Sequence, residues 1–342
     1  MAKNHINIPV FIPHLGCPNQ CVFCNQRTIS GVSEFDPLSV VSIIEEALST
    51  KRDDQSAEIA FFGGSFTGID PVLMEKLLNI ANGYLKQGRI SSIRCSTRPD
   101  YISEQILDLL LQYGVGTVEL GLQSSCDKVL ELTKRGHDMQ AEIRACELIK
   151  KKGIRLGGQM MVGLPGATPE TDRETARFMV EVGCDEARIY PTVVFRDTEL
   201  SCMLESEAYS ALTLEEAVKR STDAFEILAR GGVKILRIGL CDSENLHSSE
   251  TYLAGPNHPA IGELVEGEYY YRTIKRLIEE SRENISDKIT LTVPCGHTSK
   301  VAGHNRKNKI RIAEKYGIKR IKIVESDTVS DYSVSLSAEG RK

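Results

Sequence analysis

The chain of 342 residues contains no apolar run that approaches the length of a membrane-spanning helix. Its first residues, MAKNHINIPV, lack the charged-then-apolar layout of an export leader. Both absences set the expectation of a cytoplasmic protein with no membrane contact. In that reducing compartment the ten cysteines would remain thiols, used as ligands or as small core residues. A strong charge of one sign is missing as well: the formal net charge of −5 is too mild to define a partner by itself. No low-complexity segment interrupts the chain. Hydrophobic residues at 41% and charged residues at 26% belong to an ordinary globular protein, long enough for one large domain and a smaller one.

What is present is a regular alternation. Short apolar runs (INIPVFI, AEIAFF, SSIRCS, VGTVELGL, IRLGGQMMV and EARIYP) read as six strands. Between them, helical patterns fall near 38–49, 72–86, 103–112, 141–152 and 170–182. Gly153, after the lysines at 150–152, fits a helix C-cap. Strands alternating with helices mean a parallel sheet, and several strands apolar on both faces mean that helices cover it. The fold class is therefore α/β, a partial (β/α)6 barrel, with a doubly wound open sheet as the alternative. A further helix over 214–230 ends at Gly231–Gly232, and the clean alternation stops there. The expected division is a barrel over 1–231 and a smaller α/β domain over 232–342. The polar last dozen residues, DYSVSLSAEGRK, are expected to fray.

The stretch HLGCPNQCVFCNQ lacks a fourth cysteine. Cys17, Cys21 and Cys24 have C-x₃-C-x₂-C spacing directly after the first strand, where barrel folds carry their chemistry. Three thiolates can hold three irons of a 4Fe–4S cube and leave the fourth iron open to a ligand. The spacing alone leaves two alternatives: a structural zinc with His14 or a distant cysteine as fourth ligand, or three unrelated thiols.

The triad resembles that of the radical S-adenosylmethionine superfamily, with Phe23 in the aromatic place usual before the third cysteine. After the second strand, FFGGSFTG resembles the glycine-rich turn that meets the methionine amino group; Gly63 and Gly64 would let backbone carbonyls approach a ligand. STRPDY, LGLQS, KRGH, MMVGLPG and RIYPT follow in an order similar to the radical domain of the elongator catalytic subunit family. They are less similar to the oxygen-independent coproporphyrinogen III dehydrogenases. The resemblance runs from about residue 6 to residue 270. It implies a 4Fe–4S cluster on Cys17, Cys21 and Cys24, S-adenosylmethionine as cofactor, and a flavodoxin- or ferredoxin-type electron donor. It places Gln123 and Gln159 at the ribose and Arg135 at the methionine carboxylate, which suits a forked guanidinium. Gln159 departs from the aspartate of the coproporphyrinogen-type enzymes. Ser65, Ser96, Thr97, Arg98, Met161 and Tyr190 would line the same pocket. One electron to the sulfonium would release methionine and a 5′-deoxyadenosyl radical, which takes a hydrogen from the substrate.

RIGLCDSE and HPAIGELVEGEYYY look like the C-terminal region of stand-alone elongator-like proteins. The elongator subunit adds an acetyltransferase domain, for which these 342 residues are expected to leave no room. Between Lys300 and Lys322 nine basic residues face one acid, Glu314, a net of +8 in 23 residues. The order strand, turn, loop, helix, strand over 289–324 resembles a minimal KH core, with Arg306 in place of the second glycine of its G-x-x-G loop. This pattern makes Lys300, Arg306, Lys307, Lys309 and Arg311 candidate contacts for RNA, tRNA foremost. A solvated lysine-rich face is the plain alternative. His297, His304 and Cys295 lie close in sequence, but without a cysteine pair at zinc-finger spacing they are read as structural. Three functions stay open: a radical enzyme acting on RNA, one acting on a small metabolite or tetrapyrrole, and a non-catalytic iron–sulfur or zinc protein that binds RNA or senses redox state.

Overall fold

Arg94, buried on the third strand, reaches Glu186 on the sixth at 3.0 Å. In a flat sheet three strand spacings separate those positions by roughly 14 Å. The contact exists because the sheet curls until its inner face closes on itself. The computed structural model describes residues 5–17, 21–25, 35–240, 248–281 and 287–338. Pro18, Asn19, Gln20 and Gln26 of the cysteine motif, and the CDSE of RIGLCDSE, lie outside the described residues.

The half-barrel is built from β1 (His5–Phe11), β2 (Ser56–Phe62), β3 (Ser92–Thr97), β4 (Val115–Gln123), β5 (Arg155–Val162) and β6 (Glu186–Pro191). After β7 (Val194–Phe195) leaves the sheet, β8 (Lys234–Ile238) returns to pair with β6. The order is β1-β2-β3-β4-β5-β6-β8, and every pairing is parallel. The sheet thus has seven strands where six were expected, and it continues past residue 231. Ile235 and Ile238 of the run VKILRIG pack half-buried against the core, and the run forms the last strand of the sheet.

Helices α1 (Val40–Ser49), α2 (Pro71–Lys86), α3 (Glu104–Gln112), α4 (Asp127–Leu132), α5 (Met139–Lys151), α6 (Pro169–Glu181), α7 (Glu199–Glu205) and α8 (Leu214–Arg230) connect the strands. Their starts are written in the sequence: Asp70, Ser103 and Asp138 accept from N3 backbone groups, and Thr168 and Thr213 form capping boxes. Gly153 ends α5 with φ 71°, as its C-cap reading requires. Outward strand residues such as Ile59, Phe61, Val118, Leu120 and Ile189 meet the helices in one continuous core. The inward face carries charge at its base: Arg94 bonds Glu58 at 2.6 Å and Glu119 at 3.4 Å, and Arg188 bonds Glu119 at 2.7 Å.

Helix α9 (Ile261–Glu280) joins the barrel to the C-terminal module. Its Tyr269 packs on Phe225 of α8 at 4.9 Å between ring centroids, and Arg272 pairs with Asp223 at 2.6 Å. The pair β7 and β9 (Tyr252–Ala254) is antiparallel. Beyond α9 come β10 (Lys288–Pro294), α10 (Thr298–Ala302), α11 (Lys307–Tyr316), β11 (Arg320–Ser326) and β12 (Ser335–Ala338). The small sheet has the order β11-β10-β12. Its last strand corrects the expected fraying: Ser335–Ala338 pairs antiparallel with β10, with Leu336 opposite Leu291, and Tyr332, Val334 and Leu336 all pack against the core. Among the described residues no helix is long and apolar enough to cross a membrane.

Candidate active site

Because the strands are parallel, their C-terminal ends share one edge, and the sequence motifs all fall in the loops there. The cysteine loop after β1 continues the pairing of β1 with β2: Ile12 N–H donates to Phe62 O at 2.7 Å, His14 N–H to Gly63 O at 3.1 Å, and Ser65 N–H to Leu15 O at 3.0 Å. Glycines make this contact possible. A Cβ on Gly64 would lie 2.4 Å from Leu15 O, and one on Gly16 would lie 2.2 Å from Ser65 O. Gly63 adopts φ 97°, open mainly to glycine. The glycine turn therefore seats the cysteine loop, a role that sequence reading assigned to neither Gly64 nor Gly16.

Cys17 is exposed, and Cys21 and Cys24 are half-buried, with the Cys24 N–H on Cys21 O at 2.9 Å. The residues between them are anchored. Val22 is buried with Val194, Leu200 and Tyr209, and Phe23 packs on the same group. The Val22 N–H donates to Thr133 O at 3.2 Å. Surrounding protein pushes the Cys17 thiol up, as does the charge of Cys21, while Arg98 and Arg135 pull it down. Among the described residues no three His, Cys, Asp or Glu side chains are drawn together as a ligand set, either here or around His297, His304 and Cys295. His297 instead takes a hydrogen bond with the Tyr270 hydroxyl at 2.5 Å.

The ends of β4 and β5 bring four singled-out residues into one corner. A register slip between Gly121 and Gln123 leaves Gln123 at φ 70°, a conformation uncommon outside glycine. Gln159 Nε2 donates to the side-chain Oε1 of Gln123 at 3.3 Å. Arg135, 6% exposed, donates from Nη1 to Cys21 Sγ at 3.2 Å and from Nη2 to Gly121 O at 2.5 Å. Its Nε is buried without a partner. That orphan donor is one of four buried side-chain atoms without a partner among the described residues, at a usual cost of about 1–3 kcal/mol.

Ser65, Thr97 and Arg98 form a second group. The Ser65 and Thr97 hydroxyls are 2.9 Å apart, Thr97 also meets Thr67 at 2.6 Å, and the Arg98 N–H donates to Ser65 Oγ at 3.2 Å. These hydroxyls are buried and tie the β2 and β3 loops together. The Arg98 guanidinium forks onto Asp100 at 2.9 Å through Nε and Nη2 and also reaches the Arg135 carbonyl. Against partial burial, which would raise it, hydrogen bonds from His137 and from Arg98 hold the Asp100 carboxyl well below the usual carboxylate range. Ser96 lies half-buried in register with Glu119, and Met161 is in register with Tyr190. Thr67, Asp100, His137 and Glu142 complete the arrangement; only the Asp two residues after Arg98 and the His of KRGH hinted at them.

The basic segment divides into two sets. Lys300 pairs with Glu266 at 2.9 Å, and Arg311 pairs with Glu268 at 2.9 Å while lying over the Tyr271 ring at 3.5 Å. Both were candidate RNA contacts, and in this structure both tie α9 to the module. Lys315 and Lys319 also have acidic partners, Glu279 at 3.7 Å and Asp287 at 3.2 Å. Arg306, Lys307, Lys309, Arg320 and Lys322 form no ion pair with a described residue. Asn305 and Arg306 adopt left-handed φ values of 51° and 60°, so the loop keeps a glycine-like turn without its second glycine.

Comparison with known proteins agrees with this geometry. The Radical SAM superfamily profile matches residues 11–179, and the Radical_SAM C-terminal domain profile matches residues 184–271. An uncharacterized protein of Methanocaldococcus jannaschii is 30% identical over 234 residues, covering 65% of this chain and 71% of that protein. A tRNA uridine(34) acetyltransferase of Methanocaldococcus infernus is 32% identical over 255 residues, 63% of this chain and 48% of that protein. This chain spans about half the length of the acetyltransferases it matches. The solved structure of the archaeal Methanocaldococcus infernus Elp3 with an N-terminal deletion superposes with a TM-score of 0.62 at 22% identity, covering 83% of this chain and 65% of that one.

Proposed function

We propose, from the premise that this chain belongs to the radical S-adenosylmethionine superfamily, that it is a radical enzyme which modifies a base in RNA, with tRNA as the substrate. A 4Fe–4S cluster and S-adenosylmethionine are the cofactors of this superfamily. When bound, they supply one-electron reduction of a sulfonium and a carbon-centred oxidant that takes hydrogen from substrate. The residues present fit both groups. Cys17, Cys21 and Cys24 offer soft thiolate donors on one loop, with the Arg135 guanidinium already directed at Cys21. The unpartnered Nε of Arg135 suits an anionic oxygen such as a carboxylate. Gln123 and Gln159 offer amide groups for hydroxyls, and the glycine turn holds the loop in place. A low-potential flavodoxin- or ferredoxin-type protein would supply the electron.

The observation that carries the RNA reading is the unspent part of the basic segment. Arg306, Lys307 and Lys309 lie at a left-handed loop on a module packed against α9, and no described acid neutralises them. The relatives named tRNA uridine(34) acetyltransferase support the same class. The test is filter binding of tRNA across salt concentration. Replacing Arg306, Lys307 and Lys309 together by Gln should reduce the salt slope by about 3, whereas Lys300→Gln with Arg311→Gln should change it little. Equal effects from the two sets would reject this interface. A deletion strain whose RNA nucleosides are unchanged while a small metabolite accumulates would move the substrate to the metabolite class.

A further inference from the structure

We propose that the buried pair His137 and Glu142 is a positioning device for the cysteine corner, acting through Arg98 and Asp100 on Arg135. The inference rests on the cofactor reading of that corner and is independent of the substrate.

The geometry is continuous. Gly136, at φ 74°, reverses the chain directly after Arg135 and turns the His137 side chain inward, where it is 1% exposed. His137 Nε2 lies 3.1 Å from Glu142 Oε1, on the first turn of α5, and Glu142 is 0% exposed. On its other side His137 Nδ1 lies 3.4 Å from Arg98 Nη2 and 3.6 Å from Asp100 Oδ1. Arg98 in turn holds the Arg135 carbonyl, and the Arg135 guanidinium ends on Cys21 Sγ. A buried carboxyl on α5 is thereby linked, group by group, to a cysteine on the loop after β1.

Two features say that this pair does more than fill space. Glu142 Oε2 is buried without a hydrogen-bond partner, so the carboxyl is retained at a cost that an apolar residue would not carry. His137 also has two partner sets. As a neutral ring it donates from Nε2 to Glu142 and accepts at Nδ1 from Arg98. When Glu142 is protonated its hydroxyl donates to Nε2, and the ring's own proton sits on Nδ1, which then donates to Asp100 and no longer accepts from Arg98. The proton held by the pair therefore decides whether Arg98 keeps Asp100 to itself, and so how firmly it grips the Arg135 carbonyl. The charged and titratable groups facing Glu142 are His137, Arg135, Asp127 and, on its own helix, Cys146; those facing His137 are Arg98, Asp100 and Glu142. Burial pushes the Glu142 carboxyl up to about 7, where such a proton is exchangeable near neutrality.

The experiment measures S-adenosylmethionine affinity by equilibrium dialysis on anaerobically reconstituted protein, and the cluster midpoint potential by spectroscopic redox titration, between pH 6 and 8.5. The wild-type affinity should change about fivefold across this range, and Glu142→Gln should flatten the profile while keeping the ring's acceptor. Glu142→Asp should restore part of the pH dependence. His137→Gln should flatten it as Glu142→Gln does, and it carries the test if the latter does not accumulate folded. A flat wild-type profile would overturn the proposal. So would a Glu142→Gln profile identical to wild type in both affinity and potential, or one displaced only in step with thermal stability. If the protein takes up a cluster but binds no S-adenosylmethionine at any pH, the cofactor reading itself fails.

Discussion

Arg135 donates to the sulfur of Cys21 at 3.2 Å, while its own carbonyl oxygen is held by the guanidinium of Arg98. One arginine thus fastens the cysteine loop after β1 to the ends of β3 and β4. Lysine cannot reproduce this, because it is a point charge without the fork that serves Cys21 and Gly121 together. Arg135→Lys should keep the fold and weaken S-adenosylmethionine binding by roughly 10–100-fold, the usual worth of a hydrogen bond to a charged group. Isothermal titration of the reconstituted protein checks this; unchanged affinity would remove Arg135 from the pocket.

The interlocked glycines give a prediction about stability. Gly64→Ala places a methyl 2.4 Å from Leu15 O and 2.7 Å from Ile12 O, both backbone atoms that cannot step aside. Overpacking of this kind costs about 1–3 kcal/mol. The expected result is a lowered melting temperature together with reduced iron content after reconstitution, and Gly16→Ala should behave alike. Full iron loading by both variants would show that the loop does not depend on this contact.

Glu142 fixes the sign of one pH effect on stability. Its carboxyl is raised from 4.5 to about 7 in the folded protein by burial, against the pull of His137 and Arg135. An acid whose pKa rises on folding takes up a proton on folding. Its contribution is complete below about 4.5 and is lost as pH climbs through 7, a change of up to about 3 kcal/mol. Urea denaturation at pH 5 and pH 8 should show wild type losing this increment on going to pH 8. Glu142→Gln should show little of that loss, and an equal loss in both proteins would assign it elsewhere.

The fold was legible because the strands carry their own signal. The apolar runs at 57–62, 91–96 and 115–122 become β2, β3 and β4 to within a residue or two, and capping residues such as Thr168 and Thr213 mark where helices begin. β8 was missed as part of the main sheet because residues 192–233 separate it from β6, and β7, α7 and α8 interrupt the alternation. β12 was missed because Tyr332, Val334 and Leu336 alternate with polar residues in a tail whose composition reads as polar. At the site, the cysteines, the glycine turn, Gln123 and Arg135 were legible from motif and spacing. Glu142 and Gly16 were not, since one looks like a helix-surface acid and the other like an ordinary turn until the chain is folded. Nor does sequence show that Lys300 and Arg311 are spent on Glu266 and Glu268, 34 and 43 residues away.

The loop at 303–306 separates stability from binding. Arg306 pays for its left-handed φ of 60° by roughly 1–2 kcal/mol, a strain that glycine would not feel. Arg306→Gly should therefore be as stable as wild type or slightly more so, and should bind tRNA less well with a salt slope lower by about 1. Tighter binding by the variant would mean that loop shape, and not charge, governs the contact.

The most direct test supplies the reduced, reconstituted protein and S-adenosylmethionine with tRNA purified from cells grown in heavy water, and weighs the 5′-deoxyadenosine produced. The account predicts product one deuterium heavier than with ordinary tRNA, and no 5′-deoxyadenosine from Cys17→Ala, Cys21→Ala or Cys24→Ala protein. Unlabelled 5′-deoxyadenosine in the presence of deuterated tRNA would show that the hydrogen comes from another molecule and would contradict RNA as the substrate.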